Sequence, residues 1–225
     1  MSLKIRQLRA VQSSSFRLQV DELQVAPGEI VGVMGKSGSG KSTLLTALGG
    51  FLPQTSGQVE VDGEDRSLLP PERRRLAYVF QKNTLFPHLS LLRNVAFPLE
   101  VAGKKPAEWR GPVEGWLRRF GLLALKDRLP HEVSGGEAQR AALARALVSG
   151  FKVLLFDEPF SALDPKLRRE LRTLVKEVVT ENGLSALWVT HDLEDVSIFS
   201  RVVVLEAGQV AWTGPASDLP REKYF

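Results

Sequence analysis

Glu29-Ile30-Val31-Gly32-Val33-Met34 runs directly into Gly35-Lys36-Ser37-Gly38-Ser39-Gly40-Lys41-Ser42, and Thr43-Leu44-Leu45-Thr46-Ala47-Leu48 follows. An apolar run of strand length, a glycine-rich octet and a helix-forming stretch, in that order, is the P-loop pattern in full. Its glycines let successive backbone N–H groups turn inward around phosphate oxygens, and the helix that follows adds the partial positive charge of its N-terminus. Lys41 has the reach for β- and γ-phosphates, and the Ser42 hydroxyl suits Mg²⁺. The stretch predicts a nucleoside triphosphate site and a strand–loop–helix unit from Glu29 to Leu48.

Further along, Val153-Leu154-Leu155-Phe156 is a second apolar run, and it ends on Asp157-Glu158. An acid at the end of a buried strand can hold Mg²⁺ through water. A second acid one residue later is placed to polarise an attacking water, which points to hydrolysis. Short strands are also expected at Val59–Val61, Leu76–Phe80, Ala186–Thr190, Val202–Leu205 and Gln209–Trp212. Between Lys166 and Thr180 the residues Leu167, Leu171, Leu174, Val175 and Val178 recur at helical spacing and mark one buried face. Buried apolar strands alternating with helices predict an α/β fold with a parallel sheet covered on both sides. The stretch 82–148 reads differently. Pro87, Pro98, Pro106, Pro112 and Pro130 separate short helical patterns there, and no strand is evident, which predicts an inserted helical subdomain.

Composition narrows the function classes. The chain has 225 residues, is 43% hydrophobic and 25% charged, and contains no cysteine. That excludes a disulfide scaffold, cysteine-ligated zinc and a thiol nucleophile, and it suits a reducing compartment. Thirty Lys and Arg against twenty-six Asp and Glu leave a net charge of +4, too mild for a nucleic-acid signature. Met1-Ser2-Leu3-Lys4-Ile5-Arg6 places charges where an export signal needs an apolar run. The longest charge-free stretch, Ser42 to Val59, spans 18 residues and is broken by Gly49, Gly50, Pro53 and Gly57. A soluble, cytoplasmic protein is the expectation.

Val133-Ser134-Gly135-Gly136-Glu137 precedes the acidic strand. Ser134 with Glu137 three residues on is a capping box that opens a helix running to about Val148. Capping does not call for two glycines, which cost helix stability, but glycines there let an external anion approach the helix N-terminus. On these motifs, in this order along the chain, the sequence resembles the ATP-binding cassette (ABC) transporter ATPases, whose signature is usually Leu-Ser-Gly-Gly-Gln. The resemblance implies a P-loop NTPase, RecA-like core with an N-terminal antiparallel β subdomain at 1–81 and 149–225, and the helical signature subdomain at 82–148. It implies that Gln81 is the Q-loop glutamine, that Ser161-Ala162-Leu163-Asp164 is the D-loop and that His191 is the switch histidine.

The same resemblance implies a mechanism. Two copies, or one copy and a paralogous ATPase, close head to tail on two ATP molecules. Gly35 to Thr43 of one chain then face Ser134, Gly135, Gly136 and Glu137 of the other. Ser42, Gln81 and Asp157 would hold Mg²⁺, Glu158 would orient water, His191 would contact the γ-phosphate, and Lys41 would neutralise the phosphates. Gln81 to Val95, with Phe86, Pro87, His88 and Asn94, is similar to ATPases of bacterial importers for thiamine, molybdate, sulfate, iron(III), polyamines or sugars. These are peripheral on the inner face of the membrane, dock a permease near Gln81–Pro87 and serve a substrate-binding protein through it.

Several readings stay open. An export-type or soluble ABC ATPase is the alternative function. Phe86 is either a groove lining for the permease or core. Family members place a Tyr or Trp upstream of the P-loop to stack on adenine, but Val11, Gln12 and Ser13 stand there, so Phe16 either takes that role or is a core residue. Trp109 and Trp116 read as core packing, and Arg73-Arg74-Arg75 as a solvated face.

Overall fold

The structure is a computed structural model and describes residues 3–13, 16–81, 84–161 and 163–225. The expectations that touch Met1, Ser2, Lys82, Asn83 and Ala162 lie outside these residues.

The chain separates into two compact units, Met1–Tyr78 with Lys152–Glu158 and Arg169–Phe225, and Val79–Phe151 with Pro159–Arg168. In the first unit, strands β1 (Leu3–Ser13) and β2 (Phe16–Val25) form an antiparallel pair, and β4 (Thr55–Val61) pairs with β1. Between them in sequence lie β3 (Ile30–Met34) and helix α1 (Lys41–Gly49). A two-residue strand β5 (Glu64–Asp65) and β6 (Leu76–Val79) follow. Strands β7 (Val153–Asp157), β8 (Ser185–Val189) and β9 (Arg201–Glu206) complete the central sheet, and β10 (Gln209–Pro215) folds back antiparallel on β9. Among the described residues the strand order is β5-β4-β1-β2-β10-β9-β3-β8-β7-β6.

The centre of this sheet decides where chemistry can sit. β3 lies between β8 and β9, parallel to both, with Val31 opposite Leu187 and Val203 opposite Val33. β7 runs parallel to β8, Asp157 opposite Val189. Every residue of β3 and β8 is buried, as expected of strands covered on both faces. Parallel strands bring their carboxyl ends to one edge, so Gly35, Glu158 and Thr190 emerge side by side, the usual place for a ligand in such sheets. Val31, Val33, Leu44, Leu45, Leu48, Leu155, Leu187 and Val189 share one buried cluster with β1, β2 and β4. Each such side chain stabilises the unit by roughly 1.5–3 kcal/mol on burial.

The second unit holds α2 (Leu91–Val101), α3 (Pro106–Arg119) and α4 (Gly135–Val148). Pro106 opens α3 and Pro130 opens a 3₁₀ turn, but Pro98 and Pro112 lie inside α2 and α3 rather than between helices. An internal proline costs about 3 kcal/mol. It is tolerated here because each apolar face continues past it: Leu91, Val95 and Leu99 on α2, Trp109, Val113 and Leu117 on α3. Trp109 is buried as core, and Trp116 is half-buried, 6.2 Å from Phe120. The expected insertion ran from 82 to 148. The second unit also takes in Pro159–Arg168, where Gln139 Nε2 donates to the Pro159 carbonyl at 2.7 Å.

Helix α5 (Pro165–Glu181) buries Leu171, Val175 and Val178 as its periodicity predicts, and with them Arg172. The arginine run is a correction. Arg73 and Arg75 are exposed, but Arg74 is buried. Its guanidinium donates to the carbonyls of Ala47 and Leu48 at the end of α1, and to those of Ser67 and Leu69. A helix C-terminus leaves carbonyls without intrahelical partners and carries partial negative charge, which a cation satisfies.

Candidate functional site

The P-loop is shaped by close approaches only glycine permits. Gly35 has φ 144°, and a Cβ there would meet the Leu205 carbonyl oxygen at 2.2 Å. Lys36, Ser37 and Gly38 form the exposed tip, while Ser39 and Gly40 turn back into the protein. Helix α1 starts at Lys41, so its first N–H groups lack intrahelical partners and face the loop's concavity. Ser39 Oγ is buried with no hydrogen-bond partner, an unmet polar group in a cradle whose chemistry fits a phosphate oxygen. Lys41 Nζ donates to the carbonyls of Gly35 (2.8 Å) and Lys36 (3.0 Å). Burial lowers its pKa, while the charges of Glu158 and Asp157 pull the other way.

Asp157 closes β7 beside α1. Ser42 donates its hydroxyl to Asp157 Oδ1 at 3.1 Å, and Tyr78 donates to Oδ2 at 3.1 Å. Burial raises the Asp157 pKa despite both hydrogen bonds. A hydroxyl and a carboxylate side by side are the oxygen donors Mg²⁺ takes. Sequence reasoning missed Tyr78, because a tyrosine in an apolar strand gives no sign of its partner.

Glu158 sits in the left-handed region at φ 44°, unusual for a residue with a side chain and costing of order 1–3 kcal/mol. Its N–H donates to the Val189 carbonyl at 2.9 Å, which ties the turn to β8. From the end of β8, His191 brings Nδ1 to 3.0 Å from Glu158 Oε1, its own side chain 66% exposed. The two residues come from different strands and meet only in the folded chain.

Upstream, Thr43 donates its hydroxyl to Gln12 Oε1. Phe16 opens β2 half-buried, its ring against the P-loop: a Cβ on Gly40 would meet Phe16 Cζ at 2.8 Å.

In the second unit, Ser134 caps α4 as its capping box predicts. Its hydroxyl accepts from the Glu137 N–H at 3.3 Å and donates to Glu137 Oε2 at 2.8 Å, and its own N–H reaches the same carboxylate at 2.8 Å. These bonds hold the Glu137 pKa low, the backbone one most strongly. A Cβ on Gly136 would meet Leu167 at 2.6 Å, whereas one on Gly135 would meet nothing within 4 Å. So packing explains the second glycine, and the first leaves the helix end open. Asp164 Oδ1 accepts from the N–H groups of Lys166 and Leu167 and caps α5. Gln81 is exposed. Phe86, read as either groove lining or core, is half-buried: its ring lies 4.4 Å from Phe97 and 5.5 Å from the Arg145 guanidinium. Asn94, fully buried, accepts from the Phe86 N–H and donates to the carbonyls of Phe86, Leu89 and Ser90.

Among the described residues no helix is long and apolar enough to cross a membrane. The chain matches the ABC transporter family over residues 18–161. It is 45% identical over 198 residues to the thiamine import ATP-binding protein ThiQ of Salmonella choleraesuis (strain SC-B67), covering 88% of this chain and 84% of that one. It is 43% identical over 203 residues to the Fe(3+) ions import ATP-binding protein FbpC of Agrobacterium fabrum, covering 90% of this chain and 56% of that one. Among solved structures, the dimeric post-hydrolysis state of the ATP-binding cassette MJ0796 bound to ADP and Pi superposes with a TM-score of 0.84 at 30% identity, covering 95% of this chain and 98% of that one. P-loop, acidic strand end, capped signature helix and these likenesses agree: the chain belongs to the ABC transporter family.

Proposed function

We propose that this chain is the ATP-hydrolysing subunit of an ABC importer, peripheral on the inner face of the cell membrane. One observation carries the hydrolytic part: Glu158, in a strained turn one residue after Asp157, with His191 at 3.0 Å. Glu158 orients and polarises the attacking water. His191, exposed at its tip beside Glu158, reaches the γ-phosphate, and Lys41 leaves its two loop carbonyls to neutralise phosphate charge. Ser42 and Asp157 would hold Mg²⁺, with Gln81 as the further ligand the family resemblance implies, and the ion would supply positive charge to the phosphates. Ser39 and the N–H groups that open α1 bind the phosphates.

The signature segment Ser134–Glu137 presents the open N-terminus of α4 to ATP held by a second copy, so ATP joins two chains and hydrolysis releases them. The dimeric state of the MJ0796 cassette supports this arrangement. The inserted stretch 82–148 is the part that meets the permease, near Gln81–Pro87, with a substrate-binding protein on the permease's far side. Import is favoured over export or a soluble role because the relatives are named for import. Those names differ in cargo, thiamine and Fe(3+), at nearly equal identity, so cargo choice belongs to the permease and binding protein.

The test is Glu158→Gln in the purified protein. Turnover should fall by about 10³-fold or more, the scale of losing a transition-state group in phosphoryl transfer. ATP binding should persist, and an ATP-dependent dimer should elute on size-exclusion chromatography. Hydrolysis at the unmutated rate would overturn the assignment.

A further inference from the structure

Arg172, on the buried face of α5, has a side chain only 4% exposed. All three nitrogens of its guanidinium are used, each by a different carboxylate. Nη2 donates to Asp192 Oδ2 at 2.7 Å, Nη1 to Glu194 Oε2 at 2.8 Å, and Nε to Asp195 Oδ1. The three acids occupy four consecutive positions directly after His191. The rest of the cluster fixes them in turn. Asp195 Oδ2 accepts from Trp188 Nε1 at 3.3 Å, Asp192 Oδ1 accepts from the Glu194 N–H at 2.9 Å, and the Asp192 N–H donates to Thr190 Oγ1 at 3.0 Å.

Charge makes this arrangement conditional. Three carboxylates face one cation, and Asp195 is as buried as the arginine, with 5% of its side chain exposed. Removing one partner of a buried ion pair leaves an uncompensated charge and costs more than the pair itself contributes. Without the guanidinium, Asp195 is left as an uncompensated buried charge beside Asp192 and Glu194, and the turn must open to hydrate it. Leu193, Glu194 and Ser197 of the turn border, with Arg169, Thr173 and Arg221, a cavity of about 820 Å³ that leaves the turn room to move. Opening would begin at Asp192, the residue covalently joined to His191.

We propose that Arg172 is a positioning residue for hydrolysis: by clamping Asp192, Glu194 and Asp195 it holds His191 at the distance from Glu158 that the reaction uses. This rests on the proposed ATPase function. Arg172 itself touches no nucleotide, so its loss acts on turnover and leaves ATP binding at the P-loop intact. Misplacing a reacting group by an ångström can cost up to about 100-fold in rate.

The full-length protein tests this with Arg172→Met, read by steady-state hydrolysis, by titration with a fluorescent ATP analogue, and by hydrogen exchange over residues 190–199. The expected result is a kcat lower by about 10–100-fold, KM and nucleotide affinity within about threefold, and faster exchange in that segment. Arg172→Lys should recover much of kcat. In a His191→Ala background Arg172→Met should cost little more, since the group it positions is gone. If Arg172→Met does not fold, Asp192→Asn loosens one arm while Arg172 keeps Asp195, and several-fold loss of kcat with unchanged affinity is expected. Unchanged kcat with faster exchange would overturn this inference alone, as would a full additional loss in the His191→Ala background. A wild-type protein without ATPase activity would overturn the proposed function, and this inference with it.

Discussion

The Tyr78 hydroxyl donates to Asp157 Oδ2 at 3.1 Å, so that with Ser42 on Oδ1 both carboxylate oxygens are committed. The phenol is itself half-buried, and its pKa is pushed up first by burial and then by the Asp157 charge. Two hydroxyls therefore aim a carboxylate that the surrounding protein would prefer uncharged.

That conflict makes a prediction about pH. The Asp157 pKa in the folded protein stands above its ordinary value of 3.8, chiefly through burial. A raised pKa means the folded state holds the proton more tightly than the unfolded chain. The stability this provides is full below 3.8 and is lost as pH rises through the folded value, so at neutral pH the ionised Asp157 destabilises the nucleotide-free protein. Asp157→Asn should raise the melting midpoint at pH 7 by a few degrees, since about 1 kcal/mol moves a chain of this size by roughly 2–4 °C. The gain should shrink toward acid pH, and Mg²⁺-dependent hydrolysis should be lost. Calorimetry across pH checks it, and a lower midpoint at pH 7 would contradict it.

Much of this site was readable before folding, for a physical reason. Gly35–Ser42 acts through its own backbone, Asp157-Glu158 takes its position from the strand it ends, and the Ser134–Glu137 box closes over three residues, so each is set locally. The parallel centre of the sheet was also legible, because strands buried on both faces carry unbroken apolar runs. What stayed hidden depends on distant partners. The long β1–β2 pair gave no individual strand signal, although family resemblance implied an antiparallel subdomain. Thr43 meets Gln12 across 31 residues, and Asp157 meets Tyr78 across 79. Arg74 reads as surface charge because nothing local marks a cation destined for a helix end, and Arg172 carries no local sign of its carboxylate cluster.

Arg74 is the sharper of those two tests. It satisfies carbonyls at the end of the P-loop helix from a buried position, where burial lowers its pKa. Truncation strands the Leu48, Leu69 and Ser67 carbonyls and leaves Ala47 with only its bond from the Gly50 N–H. Each unmet buried group costs about 1–3 kcal/mol before relaxation and water entry. Arg74→Ala should destabilise the protein by about 2–4 kcal/mol in chemical denaturation, whereas the exposed Arg73→Ala should stay within about 0.5 kcal/mol. Equal effects from the two would return the whole run to the surface.

Glu137 is a carboxylate where the family usually has glutamine. Its hydrogen bonds from Ser134 lower its pKa, so the stability it adds is present above 4.5 and is lost as pH falls through the folded value. The group is close to the surface, and that contribution is small. Its larger effect should be electrostatic, since a negative charge at the end of α4 opposes an approaching phosphate. In a Glu158→Gln background, Glu137→Gln should therefore tighten the ATP-dependent dimer severalfold at low salt, with the difference fading as salt screens it. Light scattering across salt and protein concentration measures this. A dimer weakened by Glu137→Gln would show that the carboxylate acts mainly by holding Ser134.

The base of the nucleotide poses the last question. No aromatic stands at Val11, Gln12 or Ser13, and Gln12 instead accepts the Thr43 hydroxyl. Phe16 is the nearby ring, but it lies against Gly40 and also packs on the core cluster. A ring committed to the loop and the core presents little open face to a purine. Stacking of a base on an aromatic is worth about 1–3 kcal/mol, or roughly 5- to 100-fold in affinity. Without it, phosphate and Mg²⁺ contacts dominate, and these do not distinguish adenine from guanine. ATP and GTP should bind within about tenfold of each other. Phe16→Ala should lower thermal stability through lost packing while leaving their ratio unchanged. A competition titration of the two nucleotides decides it: a strong ATP preference that disappears in Phe16→Ala would make Phe16 the stacking platform.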